Sequence, residues 1–120
     1  MENESKVLVD TIVNALQDKK GKSIITVDMQ KLSGSICNYF VICEGNSPTQ
    51  ASALSDSVWD KVFEELHQKP LGMDGVQNAQ WIAMDYGDVI LHIFLPEMRE
   101  FYKLENLWED AVLNEIPDVL

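Results

Sequence analysis

Tyr39-Phe40-Val41-Ile42-Cys43-Glu44-Gly45-Asn46-Ser47-Pro48-Thr49-Gln50 is the stretch that decides the fold class. Its first five residues are almost continuously apolar, the pattern of a strand covered on both faces rather than one. Glu44-Gly45-Asn46 breaks that run. Ser47-Pro48-Thr49-Gln50 then combines an N-cap serine, a proline at the first helical position and a glutamine at the third, the elements of a capping box. A central strand leading straight into a helix places the chain in the α/β class.

Working outward, Ala51, Leu54, Val58, Val62 and Leu66 form the inner stripe of that helix, Trp59 and Phe63 widen it, and Lys69-Pro70-Leu71-Gly72 ends it, which predicts a helix over about residues 48–68. Upstream, Leu8, Val9, Ile12, Val13 and Leu16 recur at helical spacing before Lys19-Lys20-Gly21, predicting a first helix over about residues 4–20. Ser23 to Asp28 reads as a short β-branched strand, followed by a polar loop around Ser33-Gly34-Ser35. Downstream, a turn-rich Met73-Asp74-Gly75 leads to Trp81–Met84, and Asp85-Tyr86-Gly87-Asp88 separates this from Val89–Phe94, a β-hairpin. After Pro96 we expect one short helix through Met98, Phe101, Tyr102, Leu104, Leu107 and Trp108, and then a loosely held tail to Pro117. The order α-β-β-α-β-β-α over residues 1–120 is a single domain with a mixed sheet and flanking helices. Its long crossover should be right-handed and should set the strand ending at Cys43 parallel to the one beginning at Trp81.

Nine Lys and Arg against twenty Asp and Glu give a net charge of −11 with 46% apolar residues, far from the composition of a disordered chain. Binding to nucleic acid depends on neutralising phosphates with cations, so direct nucleic-acid contact is disfavoured and a basic protein surface is the better-matched partner. No apolar run approaches the roughly 20 residues of a membrane span. The acidic Met1-Glu2-Asn3-Glu4 is unlike a signal or transit peptide, so the expected location is cytoplasmic. Cys37 and Cys43 match neither C-x-x-C nor a zinc framework and are expected to be buried thiols.

Residue chemistry offers no catalytic constellation. Gly45-Asn46-Ser47 could cradle an anion at the helix start, as a nucleotidyltransferase-like enzyme or nucleotide-binding module would require, but Ser47 is already explained as a cap. Phosphoryl transfer would also need clustered carboxylates for magnesium, and the nearest, Asp85 and Asp88, sit at a hairpin tip as ordinary turn residues. Neither His67 nor His92 neighbours a serine or cysteine nucleophile motif, and His92 is expected to pack half-buried with its polar edge hydrogen-bonded. No cofactor or metal ligand set is read.

Trp81-x3-Asp85-Tyr86-Gly87-Asp88-Val89-x2-His92-Ile93-Phe94, followed by Arg99-x2-Tyr102-x-Leu104-Glu105-x-Leu107-Trp108, resembles the ribosomal silencing factor family, also called the Iojap or RsfS family. Ile24-x2-Val27-Asp28, Tyr39 to Ser47 and Asp74-Gly75 fit the same pattern, so the resemblance covers about residues 5–110. It implies a nucleotidyltransferase-like fold without the catalytic residues, commonly homodimeric. It also implies a non-enzymatic protein that docks on the large ribosomal subunit through ribosomal protein fourteen and sterically blocks joining of the small subunit, repressing translation. Under that reading the residues that bind the ribosomal protein are Trp81, Tyr86, His92 and Phe94, which supply contact area, Asp85, Asp88 and Glu105, which face basic groups, and Arg99, Tyr102 and Trp108, which either join that contact or brace the surface from behind. One departure is Cys37-Asn38, which stands where many members have an aspartate.

Overall fold

β2 (Tyr39–Glu44) is buried along its length up to its last residue, Glu44, as its unbroken apolar run requires. It leads into α2 (Pro48–Leu66), capped as the sequence indicates: the Ser47 hydroxyl accepts the Gln50 N–H at 3.1 Å. The reciprocal bond goes from the Asn46 N–H to Gln50 Oε1 at 2.6 Å, one residue earlier than in the usual capping box. Gln50 Nε2 also reaches the Lys19 and Lys20 carbonyls, each at 3.4 Å, tying the start of α2 to the end of α1 (Glu4–Asp18). Ser47→Ala should therefore lower stability by about 1 kcal/mol, read as a shifted urea midpoint at unchanged slope.

In the computed structural model, which describes residues 4–30, 37–98 and 112–118, the remaining strands are β1 (Lys22–Asp28), β3 (Gly72–Asp74), β4 (Trp81–Asp85), β5 (Val89–Phe94) and β6 (Val112–Ile116). They form one mixed sheet in the order β3-β4-β5-β2-β1-β6. The mixed α/β architecture is as expected, with three differences in its parts. First, β2 runs parallel to β5, Tyr39 opposite Val89 and Glu44 opposite Phe94, whereas β4 is the antiparallel outer partner of β5. Burial explains the choice: β5 is apolar on both faces and takes the inner slot, while β4 alternates and suits a place farther out. Second, Gly72–Asp74 is a strand, pairing antiparallel with Ala83–Asp85, where only a turn was expected.

Third, the tail is anchored. Val112–Ile116 pairs antiparallel with β1, and the Ser23 N–H donates to Asp118 Oδ1 at 2.9 Å. The tail has almost no burial of its own and carries no clean alternation, so its place is set by the open edge of β1, a feature of the assembled sheet. The short helix expected between Met98 and Trp108 lies, but for Met98, outside the described residues.

The sheet divides the interior in two. α1 and α2 cover one face, where Leu8, Ile12, Leu16, Leu54, Val58 and Val62 pack on Val41, Ile82, Leu91 and Ile93. Because side chains alternate along a strand, the neighbouring residues Phe40, Ile42 and Phe94 point to the other face, where they join Val27, Met29 and Cys37 in a second cluster. Both cysteines are buried free thiols, and burial pushes Cys37 up to about 11.

Candidate functional site

The β4–β5 hairpin carries the residues that the sequence singles out, and the turn between its strands sorts them. Gly87 makes the turn at φ +86°, a conformation open to glycine and strained for other residues. The Asp85 carboxylate accepts the Gly87 N–H at 2.7 Å, and the Tyr86 N–H donates to the Val89 carbonyl at 2.9 Å. Asp88 Oδ2 accepts the Ser5 hydroxyl at 3.3 Å, and Ser5 Oγ in turn accepts Asn38 Nδ2 at 2.9 Å, linking the first turn of α1 to the hairpin tip. Asp85 and Asp88 are both exposed. They act first as turn and tie residues. Among the described residues no group of three or more His, Cys, Asp or Glu converges as a metal set would.

On the face away from α1 and α2, Trp81, His92, Phe94 and Phe40 form one aromatic layer. Trp81 stacks on Phe94 at 4.9 Å between centroids, and Phe40 meets His92 edge-on at 5.1 Å. The strand register makes this arrangement: Trp81 lies opposite Phe94, and His92 lies opposite Ala83. A methyl group at position 83 leaves room for the indole to lean diagonally toward His92. Trp81 Nε1 donates to His92 Nδ1 at 3.0 Å, which fixes the neutral tautomer with its proton on Nε2. Burial holds the imidazole well below its ordinary range, at about 4. His92 at neutral pH is thus an uncharged acceptor that orients the indole.

Burial separates the aromatic residues that were expected to share contact area. Trp81 is partly open, but Phe94 has no exposed surface and His92 is buried within the layer. Tyr86 is also buried, and it belongs to the helix-covered core on the opposite face from Trp81. Phe94, His92 and Tyr86 are thus placed in the packing below the exposed surface, because strand alternation and the apolar interior draw them inward. Arg99, Tyr102, Glu105 and Trp108 lie outside the described residues.

The Tyr86 hydroxyl is a buried polar atom without a protein partner among the described residues, and burial raises its pKa to about 12. Leaving such a group unsatisfied costs about 1–3 kcal/mol, so Tyr86→Phe should stabilise the fold by on the order of 1 kcal/mol. A denaturant melt showing a loss instead would mean that the hydroxyl is bonded in solution.

At the other strand-to-helix junction, the Gly45 N–H donates to the Phe94 carbonyl at 2.9 Å, the Asn46 N–H to Gln50, and the Gln50 N–H to Ser47. The donors that would cradle a phosphate at Gly45-Asn46-Ser47 are largely committed to the fold.

Two surface residues escaped the sequence reading. Leu71 stands in the expected helix terminator and Val76 follows the expected turn at Met73-Asp74-Gly75, yet both are exposed apolar side chains beside β3. No periodic signal marks them. Their significance depends on Gly72–Asp74 being a strand, which becomes visible only from its pairing with β4.

The profile of the family described as "Ribosomal silencing factor during starvation" matches residues 2–120. The chain belongs to the ribosomal silencing factor family. It is 35% identical over 113 residues to the ribosomal silencing factor RsfS of Halalkalibacterium halodurans, covering 94% of this chain and 95% of that protein. A more distant relative, the mouse "Mitochondrial assembly of ribosomal large subunit protein 1", is 27% identical over 107 residues, 87% of this chain and 46% of that protein. The crystal structure of a Chromobacterium violaceum protein superposes with a TM-score of 0.83 at 31% identity, covering 98% of this chain and 94% of the other. The match of the family profile extends through the C-terminal strand, beyond the span of about residues 5–110 that the motif itself covers. No helix among the described residues is long and apolar enough to cross a membrane.

Proposed function

We propose that this ribosomal silencing factor family member docks on the large ribosomal subunit through ribosomal protein fourteen and, by occupying that surface, blocks joining of the small subunit. Family membership carries the reading, and the name of the mouse relative points to the same subunit. The site's physics is compatible with it. A partly open indole is held in a fixed orientation by His92 and Phe94, and exposed carboxylates at Asp85 and Asp88 lie at the adjoining turn. An oriented aromatic anchor with a charged rim is the usual anatomy of a protein interface. The net charge of −11 favours a basic protein over bare ribosomal RNA. The protein acts by steric exclusion and without catalysis, in the cytoplasm.

The test is sedimentation with isolated large subunits, followed by addition of small subunits. The protein should travel with the large subunit, reduce the amount of joined particle, and be competed away by excess small subunit, since two bodies cannot share one surface. Trp81→Ala in a still-folded protein should weaken binding by about 2 kcal/mol. Equal affinity for large subunits and for preformed joined ribosomes would rule out steric exclusion.

A further inference from the structure

Leu71 is the most exposed of the large apolar side chains among the described residues, at 77%. It lies where β3 meets the β4–β5 turn. Its N–H donates to the Asp85 carbonyl at 2.7 Å, and its Cδ1 would be 3.4 Å from a Cβ built on Gly87. Placed in water, such a side chain contributes almost nothing to folding, while its backbone N–H is tied to the end of β4. Asp85 and Asp88 stand beside it at the turn, and Asp74 lies three residues farther along β3, opposite Ala83; all three are exposed. The two ion pairs among the described residues, Lys6–Asp10 and Lys61–Asp18, lie on the helices and leave these carboxylates without a cation.

We propose that this corner is part of the docking surface, with Leu71 as an apolar anchor and Asp74, Asp85 and Asp88 as its acidic rim, and that its occupant is a basic protein surface carrying an apolar recess. The proposal rests on the docking reading above and extends it from the Trp81 layer to the β3 edge of the same sheet. Charge selects the occupant. Phosphates would meet three carboxylates, and a second copy joined through the same corner would set one acidic rim against another, both unfavourable arrangements. A basic protein surface meets the rim with opposite charge and covers the exposed leucine.

The experiment compares the full-length wild type with Leu71→Ser, Asp74→Lys and Phe63→Ser in sedimentation with isolated large subunits, with denaturant melts of all four. Phe63, 39% exposed on α2, is the control for loss of an apolar surface group elsewhere. The melt of Leu71→Ser should match that of the wild type, while its affinity falls by about tenfold or more. Asp74→Lys should bind more weakly and with a shallower dependence on salt, and Phe63→Ser should bind like the wild type. Wild-type affinity in Leu71→Ser, equal losses in Leu71→Ser and Phe63→Ser, or unchanged binding by Asp74→Lys would each overturn the proposal. A change in self-association without a change in subunit binding would assign the corner to a second copy and overturn it likewise. Failure of the wild type itself to sediment with large subunits would instead defeat the docking reading, and the inference with it.

Discussion

Phe94→Ala is expected to lower folding stability by about 3–5 kcal/mol, the largest effect of any single truncation we consider. Phe94 has no exposed surface and ends β5, where it closes the second cluster against Phe40 and Ile42. Its ring stacks on Trp81 at 4.9 Å and on His92 at 5.9 Å, so truncation leaves a cavity bounded by groups held in place by two strands. Such a site collapses poorly, and the cavity adds to the lost transfer free energy. Docking should weaken as well, through the indole that Phe94 supports. Trp81→Ala should show the converse balance: a smaller loss of stability, because the indole is only partly buried, and a larger loss of binding. Urea melts paired with sedimentation separate the two variants. A Phe94→Ala protein that lost less than about 1 kcal/mol would show that the second face of the sheet is not a packed interior.

The second large effect is a dependence on pH carried by His92. Its pKa is about 4 in the folded protein against an ordinary 6.5, and the cause is burial. The unfolded chain therefore takes up a proton over a range in which the folded protein refuses it. The stability associated with neutral His92 is fully present above pH 6.5, is lost progressively as the pH falls from 6.5 toward 4, and changes no further below that. Geometry gives the same sign, since a proton on Nδ1 would face the Trp81 Nε1–H that Nδ1 now accepts at 3.0 Å. Between pH 7.5 and pH 4.5 the loss should be roughly 2–3 kcal/mol. His92→Gln keeps an acceptor for the indole and removes the titration. The difference between wild type and variant then cancels carboxylates common to both. Identical pH profiles for the two proteins would show that His92 is solvated enough to ionise freely.

Local signals in the chain determined most of the architecture. The unbroken run Tyr39–Cys43, the capping residues Ser47 and Gln50 and the glycine turn at position 87 each act within a few residues of themselves. The elements they specify stand within about two residues of where they were expected. The family motif is legible for the same reason, since its spacing through Trp81, Asp85 and His92 is a property of the chain alone. Tertiary structure decided the rest. Whether β4 or β5 lies beside β2 depends on which strand is apolar on both faces once the sheet is closed. Whether Val112–Ile116 is tail or strand depends on an open edge of β1 more than eighty residues away. Tyr86 and Trp81 read alike as aromatic contact candidates, yet five residues of strand and turn carry them to opposite faces, one into the helix-covered core and the other onto the partly open layer. Leu71 acquired meaning only when β3 paired with β4, because exposure belongs to the assembled surface and no side chain carries it in its identity.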